Sequence, residues 1–111
     1  LRAADTCGVL SGRDLNKFRR CDLTLQTASA VKAPLLADSP VNLECRITQV
    51  LPLGSHDMFL AKVVAVDVAA ELLDDTGRFH LEKADLVAYS HGTYFALGEA
   101  LGRFGYSVRK K

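Results

Sequence analysis

Between Val41 and Thr48 apolar and polar residues alternate one for one: Val41, Leu43, Cys45 and Ile47 against Asn42, Glu44, Arg46 and Thr48. A period of two sends successive side chains to opposite faces, so this stretch predicts a half-buried strand. Pro52-Leu53-Gly54-Ser55 breaks the pattern. Met58 to Val68 follows, rich in β-branched residues and apolar on both faces except at Lys62 and Asp67. Two such runs joined by a glycine-containing connection predict a hairpin, with the second strand well inside a sheet.

The remaining pattern is weaker. Leu1 to Cys7 carries helix-forming Leu, Arg and Ala and stops at Gly8, so it reads as the tail of a helix. Ser11 or Asp14 can cap a short helix running to about Arg20, with Leu15 and Phe18 three apart on one face. Leu23 to Gln26 alternates as a short strand. Residues 28–40, which hold Pro34 and Pro40, read as a loop with an apolar patch at Leu35 and Leu36. Asp74-Asp75-Thr76-Gly77 is a turn, Arg78 to Leu81 is extended, and Asp85 to Ser90 is another strand. From Gly92 onward the chain reads as loop and short helix. Strands outnumber helices, which gives a mainly β chain, a barrel or sandwich with short helices at its start.

Composition limits what this chain can do. Its 111 residues suffice for one domain, and 49% hydrophobic with 24% charged residues describes a globular protein rather than a disordered one. A chain of this size is expected to bury about two-thirds of its unfolded surface. The apolar runs, such as Val63 to Val66, fall far short of the roughly 18 residues of a membrane helix. A net charge of +1 argues against a dedicated nucleic-acid binder. That charge is uneven: residues 1–21 carry five basic and two acidic side chains, residues 22–101 carry five and eleven, and the last ten carry four basic and none acidic. Basic ends around an acidic middle hold an anion or simply keep the chain soluble.

The three cysteines, Cys7, Cys21 and Cys45, form no Cys-x-x-Cys pair, and no histidine stands at metal-ligand spacing from any of them. Reduced thiols in a cytoplasmic protein are the expectation, with neither a disulfide framework nor a zinc site. The chain opens Leu1-Arg2-Ala3 without a secretory pattern and without an initiator Met, which suggests a piece of a longer protein or a trimmed one.

Candidate chemistry centres on Ser11-Gly12-Arg13-Asp14 and Lys17. A hydroxyl, a flexible backbone, a guanidinium fork and an amine at the start of a short helix suit a phosphate. The alternative is a capped surface helix with Arg13 and Lys17 in water. His56 sits at the hairpin corner beside Asp57, either as an exposed turn residue or as a ligand contact. His80 reads as an exposed strand position and His91 as a turn residue. The aromatic stretch containing Tyr94 and Phe95 reads as core filler or as a stacking surface for a planar ring. There is no Gly-x-Ser-x-Gly elbow and no Gly-x-Gly-x-x-Gly run, so neither a hydrolase triad nor a dinucleotide fingerprint has support.

Taken in order, Cys7-Gly8-Val9-Leu10-Ser11-Gly12-Arg13-Asp14-Leu15-Asn16-Lys17-Phe18 resembles the Cys-Gly-x-x-Ser-Gly-Arg-Asp-x-Asp-Lys-Phe segment of flavin reductase-like proteins with an FMN-binding split barrel. Ser39 to Cys45, Leu53 to Phe59, Tyr89 to Gly98 and Phe104 to Lys111 are similar to later segments of that family. Asn16 departs from it, standing where the family usually has Asp.

The resemblance implies an antiparallel split β-barrel, with residues 1–111 forming part of the domain and the first barrel strands missing before Leu1. It implies a homodimeric oxidoreductase that holds FMN non-covalently and exchanges hydride or electrons with NAD(P)H or a redox protein. Lys17 is then a flavin contact, with Ser11, Gly12 and Arg13 near the phosphate, His56 at the ribityl, phosphate or ring edge, and Tyr94 or Phe95 near the isoalloxazine. Because the flavin supplies the redox chemistry, no catalytic acid or base is assigned. The alternatives are a non-catalytic flavin-binding electron carrier and a truncated piece that binds no cofactor by itself.

Overall fold

The structure, a computed structural model, describes residues 1–108. Arg109, Lys110 and Lys111, the end of the basic tail and of the last segment similar to the family, lie outside the described residues. The chain is mainly β. Helix α1 (Arg2–Val9) and the single-turn α2 (Lys17–Arg20) come first. Six strands follow: β1 (Leu25–Gln26), β2 (Leu35–Leu36), β3 (Val41–Pro52), β4 (Asp57–Val68), β5 (Val87–Ser90) and β6 (Thr93–Ala96). They pair antiparallel as β1 with β2, β3 with β4, and β5 with β6. Short 3-10 turns at Ala70–Leu72, Leu81–Lys83 and Tyr106–Val108 complete the chain.

The β3–β4 ribbon dominates the molecule. Its register runs from Val41 opposite Val68 to Pro52 opposite Asp57, closed by the four-residue loop Leu53–His56. It shifts twice, leaving Val64 unpaired on β4 and Thr48 unpaired on β3. Such bulges bend a ribbon and tighten its twist.

The alternation in β3 separates the two faces, but the face this chain covers is the polar one. Glu44 is 1% exposed, whereas Leu43 and Ile47 are 59% and 61% exposed. The 28–40 segment lies over the polar face because its backbone needs the acceptors and donors found there. Asn42 accepts from the Leu36 amide at 3.0 Å and donates to the carbonyls of Leu36 and Ser39 at 3.1 and 3.2 Å. The Arg46 guanidinium donates to the Ala30 carbonyl at 3.1 Å. β4, expected inside a sheet, has β3 as its only strand partner among the described residues.

Only Leu35 and Leu72 form a buried apolar core among the described residues, well short of the burial expected from length. The radius of gyration, 17.4 Å, agrees: a compact chain of about 110 residues measures roughly 13 Å.

Several local expectations shift. α1 continues through Gly8 to Val9, with the Leu10 amide donating to the Thr6 carbonyl. β6 is a regular strand rather than loop, paired with β5 across a two-residue turn. In that turn His91 (φ 50°) and Gly92 (φ 80°) are both left-handed, the geometry whose twist matches a hairpin. This gives His91 a turn role.

Candidate functional site

The Ser11–Lys17 loop is organised by the end of α1. The last carbonyls of a helix lack intrahelical donors and attract cations. The Lys17 amine answers this by donating to the Cys7 carbonyl, and Gly12 lies over its stem: a Cβ at Gly12 would meet Lys17 Cε at 3.7 Å. Ser11 Oγ accepts from the Arg13 amide at 3.2 Å, and the Ser11 carbonyl accepts from the Asp14 amide at 3.2 Å. Neither Ser11 nor Asp14 starts a helix. Asn16 does: its Oδ1 accepts from the Arg19 amide at 3.1 Å and caps α2. The Asn that replaces the family's Asp therefore keeps a capping role.

The structure thus brings Ser11, Gly12, Arg13 and Lys17 together in the turn between the end of α1 and the first residue of α2, with Ser11 and Arg13 ahead of the α2 cap. The Ser11 hydroxyl, the Arg13 guanidinium and the Lys17 amine are all donor groups, and Asp14 is the loop's one carboxylate. Among the described residues Arg13 forms no ion pair. Beside the loop, Leu15, Phe18, Leu23 and Leu36 join Gly12 and Lys17 around an open cavity of about 430 Å³. A cationic turn next to an apolar hollow suits a ligand with an anionic group and a planar apolar body.

The other predicted residues lie elsewhere. His56 is at the ribbon's closed end, exposed, with Nδ1 2.9 Å from Ser55 Oγ. Tyr94, on β6, donates from its hydroxyl to Asp5 on α1 at 3.2 Å and meets the Tyr89 ring edge-on at 5.0 Å. Burial, followed by the Asp5 carboxylate, raises the Tyr94 phenol. Phe95 is half-exposed opposite Ala88. No hydrogen bond among the described residues joins His56, Tyr94 or Phe95 to the Ser11–Lys17 loop. α1 is the shared support, holding Lys17 at its end and Tyr94 at Asp5.

Two polar clusters escaped the sequence reading. Glu44 takes four hydrogen bonds: from the Ser29 amide (2.8 Å) and hydroxyl (2.7 Å), the Ala30 amide (2.6 Å) and the Val31 amide (2.9 Å). The Ser29 hydroxyl bond chiefly lowers its carboxyl to about 2, helped by the amides. On the same face Asp67 has a buried, unpartnered Oδ2, and burial together with Glu44's charge pushes its carboxyl up.

The second cluster holds His80, which is half-buried rather than an exposed strand residue. Its Nε2 lies 2.8 Å from Asp74 and its Nδ1 2.7 Å from Glu82. Two carboxylates offer only acceptors, so both ring nitrogens carry protons. Asp74, through Thr76 and then His80, is driven well below the usual carboxylate range, and Asp74 and then Glu82 raise the imidazole. The Asp74–x₅–His80–x–Glu82 spacing was visible in the sequence, but no periodicity pointed to it. Among the described residues no three His, Cys, Asp or Glu side chains gather as a metal site, and no helix is long and apolar enough to cross a membrane.

The chain is thus a mainly β domain with a cationic turn beside an apolar hollow. Residues 1–98 match the flavin reductase like domain, and the chain belongs to that family. It is similar to the flavoredoxin of Desulfovibrio vulgaris (Miyazaki F), with 27% identity and a TM-score of 0.85 over 98% of this chain and 59% of that one. The split barrel domain of a Shewanella frigidimarina protein shares the fold, with a TM-score of 0.73 and 22% identity over 95% of this chain and 54% of that one. The FMN reductase (NADH) RutF of Acinetobacter baylyi is 43% identical over 37 residues, 33% of this chain and 20% of that one. The chain spans less than half the length of the curated relatives it matches, between 20% and 45%.

Proposed function

We propose that this chain is part of an oxidoreductase that holds FMN non-covalently and exchanges hydride or electrons between that flavin and NAD(P)H or a redox protein. The observation that carries the reading is the Ser11–Lys17 turn, where two cations and a hydroxyl surround backbone ordered by α1. Arg13 and Ser11 are assigned to the phosphate, with the Gly12 backbone allowing close approach. Lys17 is assigned to the flavin, where its charge favours anionic forms. When bound, the flavin supplies the hydride and electron chemistry, and the residues here bind and orient it.

His56, Tyr94 and Phe95 are assigned to the ribityl and ring region, completed in a homodimer of the longer protein. The bare apolar face of the β3–β4 ribbon supports that assembly, since it needs a cover which residues 1–108 do not provide.

The test uses the full-length protein, incubated with excess FMN and desalted. Retained flavin absorption, with affinity lowered about 10- to 100-fold in Lys17→Ala, is the expected result; that range is the contribution of one charge-assisted hydrogen bond. Unchanged affinity in Lys17→Ala removes Lys17 from the site, and colourless wild-type protein removes the flavin reading. A second reading, an electron carrier without reductase activity, is favoured by the likeness to a flavoredoxin. NAD(P)H oxidation separates the two: turnover marks a reductase, and bound FMN without turnover marks a carrier.

A further inference from the structure

Cys7 lies in the last turn of α1 and Cys21 directly follows α2. Their Sγ atoms are 3.8 Å apart, and both are free, half-buried thiols. A disulfide bond is about 2.05 Å long, so closing the pair takes a movement of under about 2 Å, within reach of side-chain rotation and a small loop adjustment. The 14-residue separation encloses Ser11, Gly12, Arg13 and Lys17. Lys17 already ties the two ends together by donating to the Cys7 carbonyl. Cys45 is exposed on the ribbon and takes no part.

We infer that Cys7 and Cys21 form a redox-active dithiol that small disulfide oxidants convert to an intramolecular disulfide, locking the Ser11–Lys17 turn. The thiolate of one cysteine attacks the oxidant R–S–S–R, forming a mixed disulfide and releasing one thiolate. The second cysteine, deprotonated by solvent base, attacks the protein sulfur and releases the other. Two protein thiols become one disulfide, and two electrons and two protons leave as two molecules of R–SH. Lys17, Arg19 and Arg20 stand within four residues of Cys21. They favour an anionic oxidant such as glutathione disulfide, and Arg20 favours the Cys21 thiolate. Burial and the neighbouring Cys7 act the other way and raise the Cys21 thiol, so the reaction runs faster at mildly alkaline pH.

The experiment treats full-length protein with glutathione disulfide, alkylates the remaining thiols and maps peptides without reduction. The expected product is a Cys7–Cys21 linked peptide from a chain lighter by two hydrogens. Cys7→Ser and Cys21→Ser should each stop at a stable mixed disulfide with glutathione on the surviving partner, whereas Cys45→Ser should form the linkage like wild type. Two alkylatable thiols at positions 7 and 21 after treatment, or stable glutathione adducts at both in wild type, overturn the inference.

The effect on the cofactor rests on the flavin reading. A locked turn is pre-organised, so the oxidised protein should retain FMN several-fold more tightly than the reduced one. Equal affinity with the linkage formed overturns that coupling. An absence of FMN binding in both redox states overturns the flavin reading and leaves the disulfide standing.

Discussion

The two faces of the β3–β4 ribbon follow the same alternation and have opposite fates. On one face Asn42 and Glu44 are covered by the 28–40 segment, and with the exposed Arg46 they are bonded to its backbone. On the other, Leu43, Ile47, Val63 and Val66 remain open. The polar face is completed by local chain, because an irregular segment can be held only where its amides and carbonyls find partners. An apolar face asks for area, and no element of residues 1–108 supplies it. Polar side chains here tie down a loop, and apolar ones are left without a cover among the described residues.

Breaking the polar face should have the largest effect. Glu44→Ala leaves three amides and a hydroxyl without their acceptor, and the melting midpoint of the full-length protein should fall on the order of 10 °C. Acid should act similarly. Glu44 is held at about 2 against an ordinary 4.5, so its contribution is complete above the ordinary value and is lost as pH falls toward about 2. Denaturant midpoints measured from neutral to acid pH should show this slope, flattened in Glu44→Gln.

The open face sharpens the contrast. If the proposed assembly covers this face, Leu43→Ala should cost about 1.5–3 kcal/mol in the full-length protein, against under about 0.5 kcal/mol in residues 1–111 alone. Equal costs in paired urea titrations of the two proteins would break the comparison.

The Asp74–His80–Glu82 knot repeats the polar device beyond the ribbon. The His80 imidazole is raised above its ordinary 6.5, so its contribution is present below that value and lost as pH rises through the raised one. The lowered Asp74 and Glu82 lose theirs in acid. Protection factors of residues 74–82, measured exchange divided into the intrinsic rate at each pH, should therefore be highest between the ordinary carboxylate range and 6.5, and His80→Phe should abolish that window. In the full-length protein Asn16→Ala, which removes one exposed cap, should have the smallest effect, about 1 kcal/mol in a thermal melt.

Much of this was legible in the sequence. Alternation located β3, the β-branched run located β4, and Asp74 to Gly77 announced its turn. Alternation says that two faces differ, but not which face the same chain covers, so Glu44 looked solvent-facing and Leu43 looked like core. β6 was missed because four residues around Tyr94 and Phe95 are too few to show a period, and its signal was the His91-Gly92 turn. The Ser11–Lys17 cluster was found by residue type and by its likeness to a family. That Lys17 is positioned by a carbonyl from α1 depends on tertiary approach, which spacing does not encode.

The ribbon also bears on the order in which the protein is built. Its strands are joined by four residues, and no pair in it is separated by more than the 27 positions between Val41 and Val68. Contacts this local form early, because little loop entropy opposes them. The hairpin therefore closes during synthesis while its apolar side still lacks a cover, and that interval is when chance partners compete for it. Slower synthesis at lower temperature should raise the yield of well-folded protein more than any change to the polar face.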